Sequence, residues 1–266
     1  MAQPAHRLAG RRPSDTGPVR STEVRTGLVV VLAVGNPRRR ALAWAWREVA
    51  ITGETVTVAL LPPVAAQGLA DTGQELAALS ASVRLLVLGR GGTAGSLGAG
   101  DRESFGAGGW SAIVRSAVTT VVVPEVWHDR VAGPVVVGVD GSRLSRAALE
   151  FGFRYASAHG LDVTAIHATG SAEEGWQDWS PPESGKQDPE RLLAGELAAY
   201  RIRYPRVRVT ERVSGRPVTV AVVDAAAQAN LLVVGAHGNG PPLGALGSLA
   251  RTAVGHARCP VAVVRL

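Results

Sequence analysis

The stretch Leu231–Leu266, LLVVGAHGNGPPLGALGSLARTAVGHARCPVAVVRL, constrains the fold more than any other part of the chain. It sets an apolar run, a glycine-rich loop, an amphipathic segment and a second apolar run in immediate succession. A continuous run such as LLVVG suits a parallel strand buried on both faces, because a strand with one wet face would alternate. Parallel neighbours need a crossover, and the helix predicted from Ser248 supplies it. Gly235, Gly238 and Gly240 follow the first strand, and Gly247 and Ser248 open the helix. Glycine lets a ligand approach the backbone closely, and unpaired N–H groups at a helix start attract negative charge, so a phosphate fits there physically.

The same alternation runs back through the second half. PVVVGVD (134–140) reads as a strand, and Ser142–His159 as a helix with Leu144, Ala147, Ala148, Phe151 and Tyr155 on one face. LDVTAIHAT, a helix over Pro189–Arg203, VRVTERVS and a helix over Pro217–Ala229 with proline in its first turn come next. LLVVG, the Ser248 helix and PVAVVRL complete five strands alternating with four helices, which argues for a parallel sheet covered on both faces. The first half repeats the pattern in shortened form. GLVVVLAVG, Arg38–Ile51, ETVTVALLP, Thr72–Ala81, VRLLVLG, Trp110–Ala117 and TTVVVP alternate strand and helix, one of each fewer than in the second half. The expected fold is therefore α/β, with two tandem doubly wound parallel-sheet domains, the first shortened. The boundaries expected are a disordered basic tail at 1–26, a first domain at 27–125, a linker at 126–133 and a second domain at 134–266.

Charge and composition narrow the function. The formal net charge is +6, and the tail supplies three of it, five arginines (Arg7, Arg11, Arg12, Arg20, Arg25) less Asp15 and Glu23. The remainder is only mildly basic and shows no basic stripe interleaved with aromatics, so nucleic acid is not an expected partner. The longest apolar runs fall well short of the ~18–20 residues that span a bilayer, and the first 26 residues lack the apolar core of a secretory signal. A soluble, cytoplasmic protein with no membrane partner is expected. The single cysteine, Cys259, excludes an internal disulfide and lies between a predicted helix and strand, where a buried structural thiol is expected. Lys186, the only lysine, sits in ESGKQD, so no P-loop GxxxxGK is present. Gly89, Gly91 and Ala94 form a GxGxxA, but no helix follows directly and no strand-end acid stands about 20 residues on, as a dinucleotide fingerprint requires. There is no GxSxG, and the histidines and cysteine show no metal-ligand spacing.

In a doubly wound sheet ligands bind outside the carboxyl ends of the strands, which puts Asp140, His167 and Gly235 on one edge. The pattern GxxG, spacer, GS, amphipathic helix and CPVAVV resembles the universal stress protein family, in a tandem-domain arrangement reaching from about residue 27 to Leu266. The resemblance implies an adenine nucleotide alpha hydrolase-like, Rossmann-like fold that binds an adenine nucleotide, ATP with Mg2+. It implies that Gly138, Val139 and Asp140 at the end of the first strand of the second half contact the nucleotide, and that backbone near Ala168 meets the base. Val234, Gly235 and Gly238 would line ribose and phosphates, His237 would approach the ligand, and Gly247, Ser248 and Leu249 would present the helix start to the phosphates. Valine at 238 is expected to abolish binding by filling ligand space. A second reading stands beside these: Asp140 and Ser142 as caps of the helix that follows them, and Ser248 as a simple N-cap.

Two departures from the family pattern stand out. Asn239–Leu246 puts eight residues between Gly238 and Gly247 where the family has nine, and Pro241 and Pro242 bring no N–H. The first half keeps only Gly89 and Gly92 of the motif; its first strand ends in AVGNP with no aspartate, and no GS opens the following helix. That half reads as a degenerate copy that stabilises the pair, or as the carrier of a loop that closes over a ligand. TTVVVP and PVAVVRL would be sheet edges, and in the family such strands pair across a dimer twofold. Here they imply an intrachain pseudo-dimer, with a homodimer as a further expectation. Thr169–Asp188, which carries Trp176 and Trp179, reads as a lid, a docking segment or a mobile loop. The function expected is regulatory, in stress adaptation, with slow hydrolysis at most because no general base is evident. The alternative is a member that binds no nucleotide and acts as a protein interaction module.

Overall fold

The computed structural model describes residues 28–32, 38–60, 83–91, 109–128, 132–170, 188–239 and 246–266. The N-terminal tail, the helix expected over Thr72–Ala81, the glycine-rich insertion from residue 92, residues 171–187 with both tryptophans, and residues 240–245 lie outside the described residues.

The first half contributes β1 (Leu28–Leu32), α1 (Arg38–Thr52), β2 (Val56–Leu60), β3 (Leu85–Arg90), α2 (109–115) and β4 (Thr119–Pro124). The second half contributes β5 (Val135–Gly138), α3 (Arg143–His159), β6 (Val163–Gly170), α4 (Pro189–Arg203), β7 (Val209–Pro217), α5 (Val218–Ala225), β8 (Leu231–Gly235), α6 (Ser248–His256) and β9 (Val261–Val264). Local chemistry sets several of these boundaries. The Ser142 hydroxyl accepts from Ser145 N at 3.0 Å and starts α3, and Gly160 ends it at a φ of 64° that only glycine adopts without strain. Asp188 accepts from Glu190 N at 3.1 Å and Pro189 fills the first turn of α4, where its missing N–H costs nothing. Ser116 terminates α2, its hydroxyl donating to Val118 O at 2.9 Å and accepting from Val118 N at 3.2 Å.

The nine described strands form one sheet in the order β2-β1-β3-β4-β9-β8-β5-β6-β7. All neighbours are parallel except β4 and β9, which pair antiparallel with Thr120 opposite Val263, Val121 opposite Ala262 and Val122 opposite Val261. TTVVVP and PVAVVRL, expected as edges of their half-sheets, thus cover each other in the middle. β2 and β7 are the edges of the whole, and most of β7 is exposed.

Strand residues alternate between two buried layers. Val135, Val137, Leu231 and Val233 face Trp44, Trp127, Leu149, Phe153, Leu193 and Leu197, while Val136, Leu232, Val234, Leu86 and Leu88 face Ile113, Val222, Ala253 and Val254. Each layer draws residues from both halves, so the core runs continuously through the junction. Gly152 makes one close approach possible, since a Cβ there would stand 2.7 Å from Val137 Cγ2. At the seam, α1 meets α3 through polar groups: Arg47 donates to the Tyr155 hydroxyl at 2.7 Å, and His159 lies 2.9 Å from the Glu48 carboxylate, both side chains buried.

Two expectations need correction. α3 buries Leu149, Phe153 and Ala156 as well as Ala148, Phe151 and Tyr155, while Leu144 and Ala147 are only half-buried, because α1 and α4 cover its sides. α5 ends at Ala225 rather than Ala229, because residues 226–228 turn and drop Ala226 and Ala229 into the core before β8. Cys259 is buried as expected, and burial pushes its thiol up to about 12. Among the described residues no helix is long and apolar enough to cross a membrane.

Candidate functional site

The chain leaves β5 toward β6 on one side and β8 toward β9 on the other, so the sheet's winding reverses between β5 and β8. A crevice at the carboxyl ends of the strands is the geometric result of such a reversal. A cavity of about 480 Å³ lies there. Gly138, Val139 and Asp140 line it from the end of β5 and Ala168 from β6. Gly235, His237, Gly238 and Asn239 line it from the loop after β8, and Gly247, Ser248, Leu249 and Ala250 from the start of α6. Ile166, Val218 and Val222 give it an apolar wall. Of the eleven residues singled out in the sequence, ten therefore meet on one cavity. Val234 does not; it is fully buried in β8 with Cγ1 behind Gly138.

Asp140 holds the crevice together. Its Oδ1 accepts from Ser142 N at 2.9 Å and its Oδ2 accepts from Asn239 N at 3.0 Å, while Asn239 Nδ2 donates to Asp140 O at 2.6 Å. The helix cap is Ser142; Asp140 stands before it and fastens the loop after β8 to the end of β5. Hydrogen bonds to a carboxylate are among the stronger ones, and with the Asn239 bonds discounted for their exposure the fastening contributes roughly 1.5–3 kcal/mol in all. His167 is likewise engaged with backbone, Nδ1 donating to Val139 O at 2.7 Å.

The glycines of the loop are small for packing reasons. A Cβ at Gly235 would stand 2.9 Å from Leu144 Cβ and 3.0 Å from His237 O, and a Cβ at Gly238 would stand 2.4 Å from Asp140 Oδ2. The space beside Gly238, expected to belong to a ligand, is taken by the Asp140 carboxylate. Gly247, in extended conformation, is the N-cap of α6 and donates its N–H to Ala236 O at 2.8 Å. Ser248 is therefore the first helical residue rather than the cap, and no side chain caps the helix. The N–H groups of Ser248, Leu249 and Ala250 have no intrahelical acceptor, as in any first turn, and all three residues line the cavity. The Gly247–Ala236 bond keeps the helix start on the loop despite the spacer's missing residue.

Asp140 is the one charged side chain among the described lining residues. An anion here would be held by backbone N–H groups and the positive end of α6, and a flat apolar ring would rest on Ile166, Val218 and Val222. Mg2+ commonly binds through one or two carboxylates plus phosphate oxygens, so Asp140 alone could serve it. No group of three or more potential metal ligands occurs among the described residues. Sequence reasoning missed Asn239, although an Asn between two glycines after a strand signals side chain to backbone bonding. It also missed the wall; Val218 and Val222, four residues apart, were the legible hint.

The family model described as the universal stress protein family matches residues 132–265. A universal stress protein of Mycobacterium tuberculosis is 33% identical over 233 residues, covering 83% of this chain and 67% of that one. A universal stress protein of Mycolicibacterium smegmatis is 33% identical over 239 residues, 85% of this chain and 76% of its own length. The crystal structure of a universal stress protein from Archaeoglobus fulgidus shares the fold with a TM-score of 0.62 at 15% identity, over 89% of this chain and 98% of that one. The chain belongs to the universal stress protein family.

Proposed function

We propose that the cavity between β5, β8 and α6 binds an adenine nucleotide, ATP with Mg2+, and that its occupancy serves a regulatory role in stress adaptation in the cytoplasm. One observation carries this reading: the end of β5, the glycine loop and the uncapped start of α6 converge on a single cavity of about 480 Å³. In this reading the base rests by Ala168 and the apolar wall, and the phosphates meet the first turn of α6. Mg2+ would supply positive charge to the phosphate oxygens, and Asp140, the one carboxylate among the described lining residues, would help to hold it. Any hydrolysis is slow in this reading, because no general base is evident in the sequence and the Asp140 carboxylate is engaged in fastening the loop. The first half, in this reading, is a degenerate copy that completes an intrachain pseudo-dimer, which the β4–β9 pairing supports; homodimerisation of whole chains is a further proposal, read by light scattering.

The test is to denature the purified protein and assay released nucleotide by mass spectrometry, then titrate the emptied protein with ATP and Mg2+ by calorimetry. Near-stoichiometric nucleotide, or saturable heat, is the expected result. A folded protein that releases none and shows no heat at millimolar ATP sinks the proposal. It would leave the second reading, an interaction module without nucleotide, which the engagement of Asp140 in the scaffold favours.

A further inference from the structure

α6 has an unusual pair of ends. No side chain caps its start, its last turn contains Gly255, and its C-cap, Ala257, is extended (φ −61°, ψ 143°) rather than left-handed. A glycine in a helix weakens it by up to about 1 kcal/mol, and without a left-handed closure the last carbonyls need partners from elsewhere. Arg90 supplies them. It ends β3 in the first half, is 4% exposed, and donates Nη1–H to Gly255 O and Nη2–H to Ala257 O. A guanidinium at the negative end of a helix is favourable through both charge-assisted hydrogen bonds and the helix dipole, more so when buried. With nine residues α6 is only about 13 Å long, so what fixes its last turn also fixes the direction of its first.

We propose that the first half positions the ligand site of the second, with Arg90 as the positioning residue: its grip on the end of α6 aims the N–H groups of Ser248 and Leu249 into the cavity. The proposal rests on the nucleotide reading for its ligand, and on the helix contacts alone for its mechanics. The molecule contains its own control. Arg265, at the end of β9, makes the reverse clasp, donating Nη2–H to Ile113 O at 2.9 Å and Val114 O at 3.2 Å at the end of α2, a helix that does not line the cavity. Each half thus holds the last carbonyls of the other half's final helix, yet only Arg90 holds a helix that opens on the site.

The experiment compares Arg90→Gln, Arg90→Lys and Arg265→Gln in the full chain, reading ATP–Mg2+ affinity by calorimetry and amide hydrogen exchange at Arg251, whose N–H closes the first turn of α6 by donating to Gly247 O at 3.0 Å. Arg90→Gln weakens affinity about tenfold, within the range usual for coupled sites, and speeds first-turn exchange. Arg90→Lys, which keeps the charge but loses the fork, falls between. Arg265→Gln lowers stability but leaves affinity within about twofold, as expected of sites without shared partners. Unchanged affinity and exchange in Arg90→Gln, or an equal loss of affinity in Arg265→Gln, overturns the proposal. If Arg90→Gln does not fold, the ratio of Arg90→Lys to Arg265→Gln decides in the same way. If the unaltered protein binds no nucleotide, the nucleotide reading fails by itself, and first-turn exchange alone upholds or overturns the positioning.

Discussion

The two halves end corresponding strands with almost the same residues, LLVLGR at 85–90 and LLVVGA at 231–236, and put them to different uses. After β8 the chain turns back over Asp140, and Ala236 O receives the N–H of Gly247, closing one side of a cavity. At the matching place in the first half stands Arg90, whose side chain runs across the junction to the end of α6. The strand and its glycine are common to both. What differs is the neighbour: Asp140 stands beside the β8 loop and fastens it, whereas AVGNP offers no carboxylate at the end of β1. The loop after β8 is fastened against the cavity by that carboxylate, while at the end of β3 the corresponding position serves the junction between the halves.

The most disruptive test of this contrast asks whether the halves are separable at all. Trp44 of the first half is fully buried in a layer shared with Val135, Leu149 and Phe153 of the second. Trp44→Ala should cost about 3–5 kcal/mol in urea unfolding and still give one transition, coincident by circular dichroism and fluorescence. Two separated transitions would show that the shared core does not couple the halves. Next in size, Asp140→Ala removes the acceptor for Ser142 N and Asn239 N; we expect a loss of about 1.5–3 kcal/mol in stability and at least about tenfold in ATP affinity. Full affinity in that variant would mean the loop needs no fastening.

The third prediction isolates the contact itself. Gly238→Ala should cost about 1–3 kcal/mol in the unaltered chain, because its methyl would meet the Asp140 carboxylate, and close to nothing in the Asp140→Ala background. Additive losses would assign Gly238 some other role. The smallest effect is on pH. Cys259 packs beneath β9 in the second half, and the first half has no cysteine. With its thiol raised to about 12 by burial, its contribution to stability is complete below pH 9 and declines as pH rises toward 12. About 1 kcal/mol should disappear between pH 9 and 10, and Cys259→Ala should remove that part of the slope; an unchanged slope would trace the loss to other groups, such as Tyr155, whose hydroxyl burial also raises.

The sequence made the strand and helix order legible because buried parallel strands are written as unbroken apolar runs, and because Asp188 and Pro189 mark the start of α4. It also brought ten of eleven chosen residues to one cavity, since they all sit at carboxyl ends of strands or at one helix start. Two kinds of detail stayed hidden. Adjacent Gly247 and Ser248 are both acceptable caps, and it is the extended backbone of Gly247, whose C=O accepts from Arg251 N at 3.0 Å, that makes Gly247 the cap. Nothing local in the sequence marks Arg90 or Arg265 for a role. Their partners are helix carbonyls of the opposite half, brought near by the β4–β9 pairing; the resemblance implied that pairing, but no local pattern encodes its register.

That pairing also bears on how the molecule behaves at low copy number. Strands joined within one polypeptide meet at an effective concentration of about a millimolar, far above what two separate chains reach when scarce. Dilution therefore does not part β4 from β9, and the amount of completed junction rises in simple proportion to the number of chains. A pair assembled from separate chains would instead fall away with the square of their concentration, and would need a threshold supply before it worked at all.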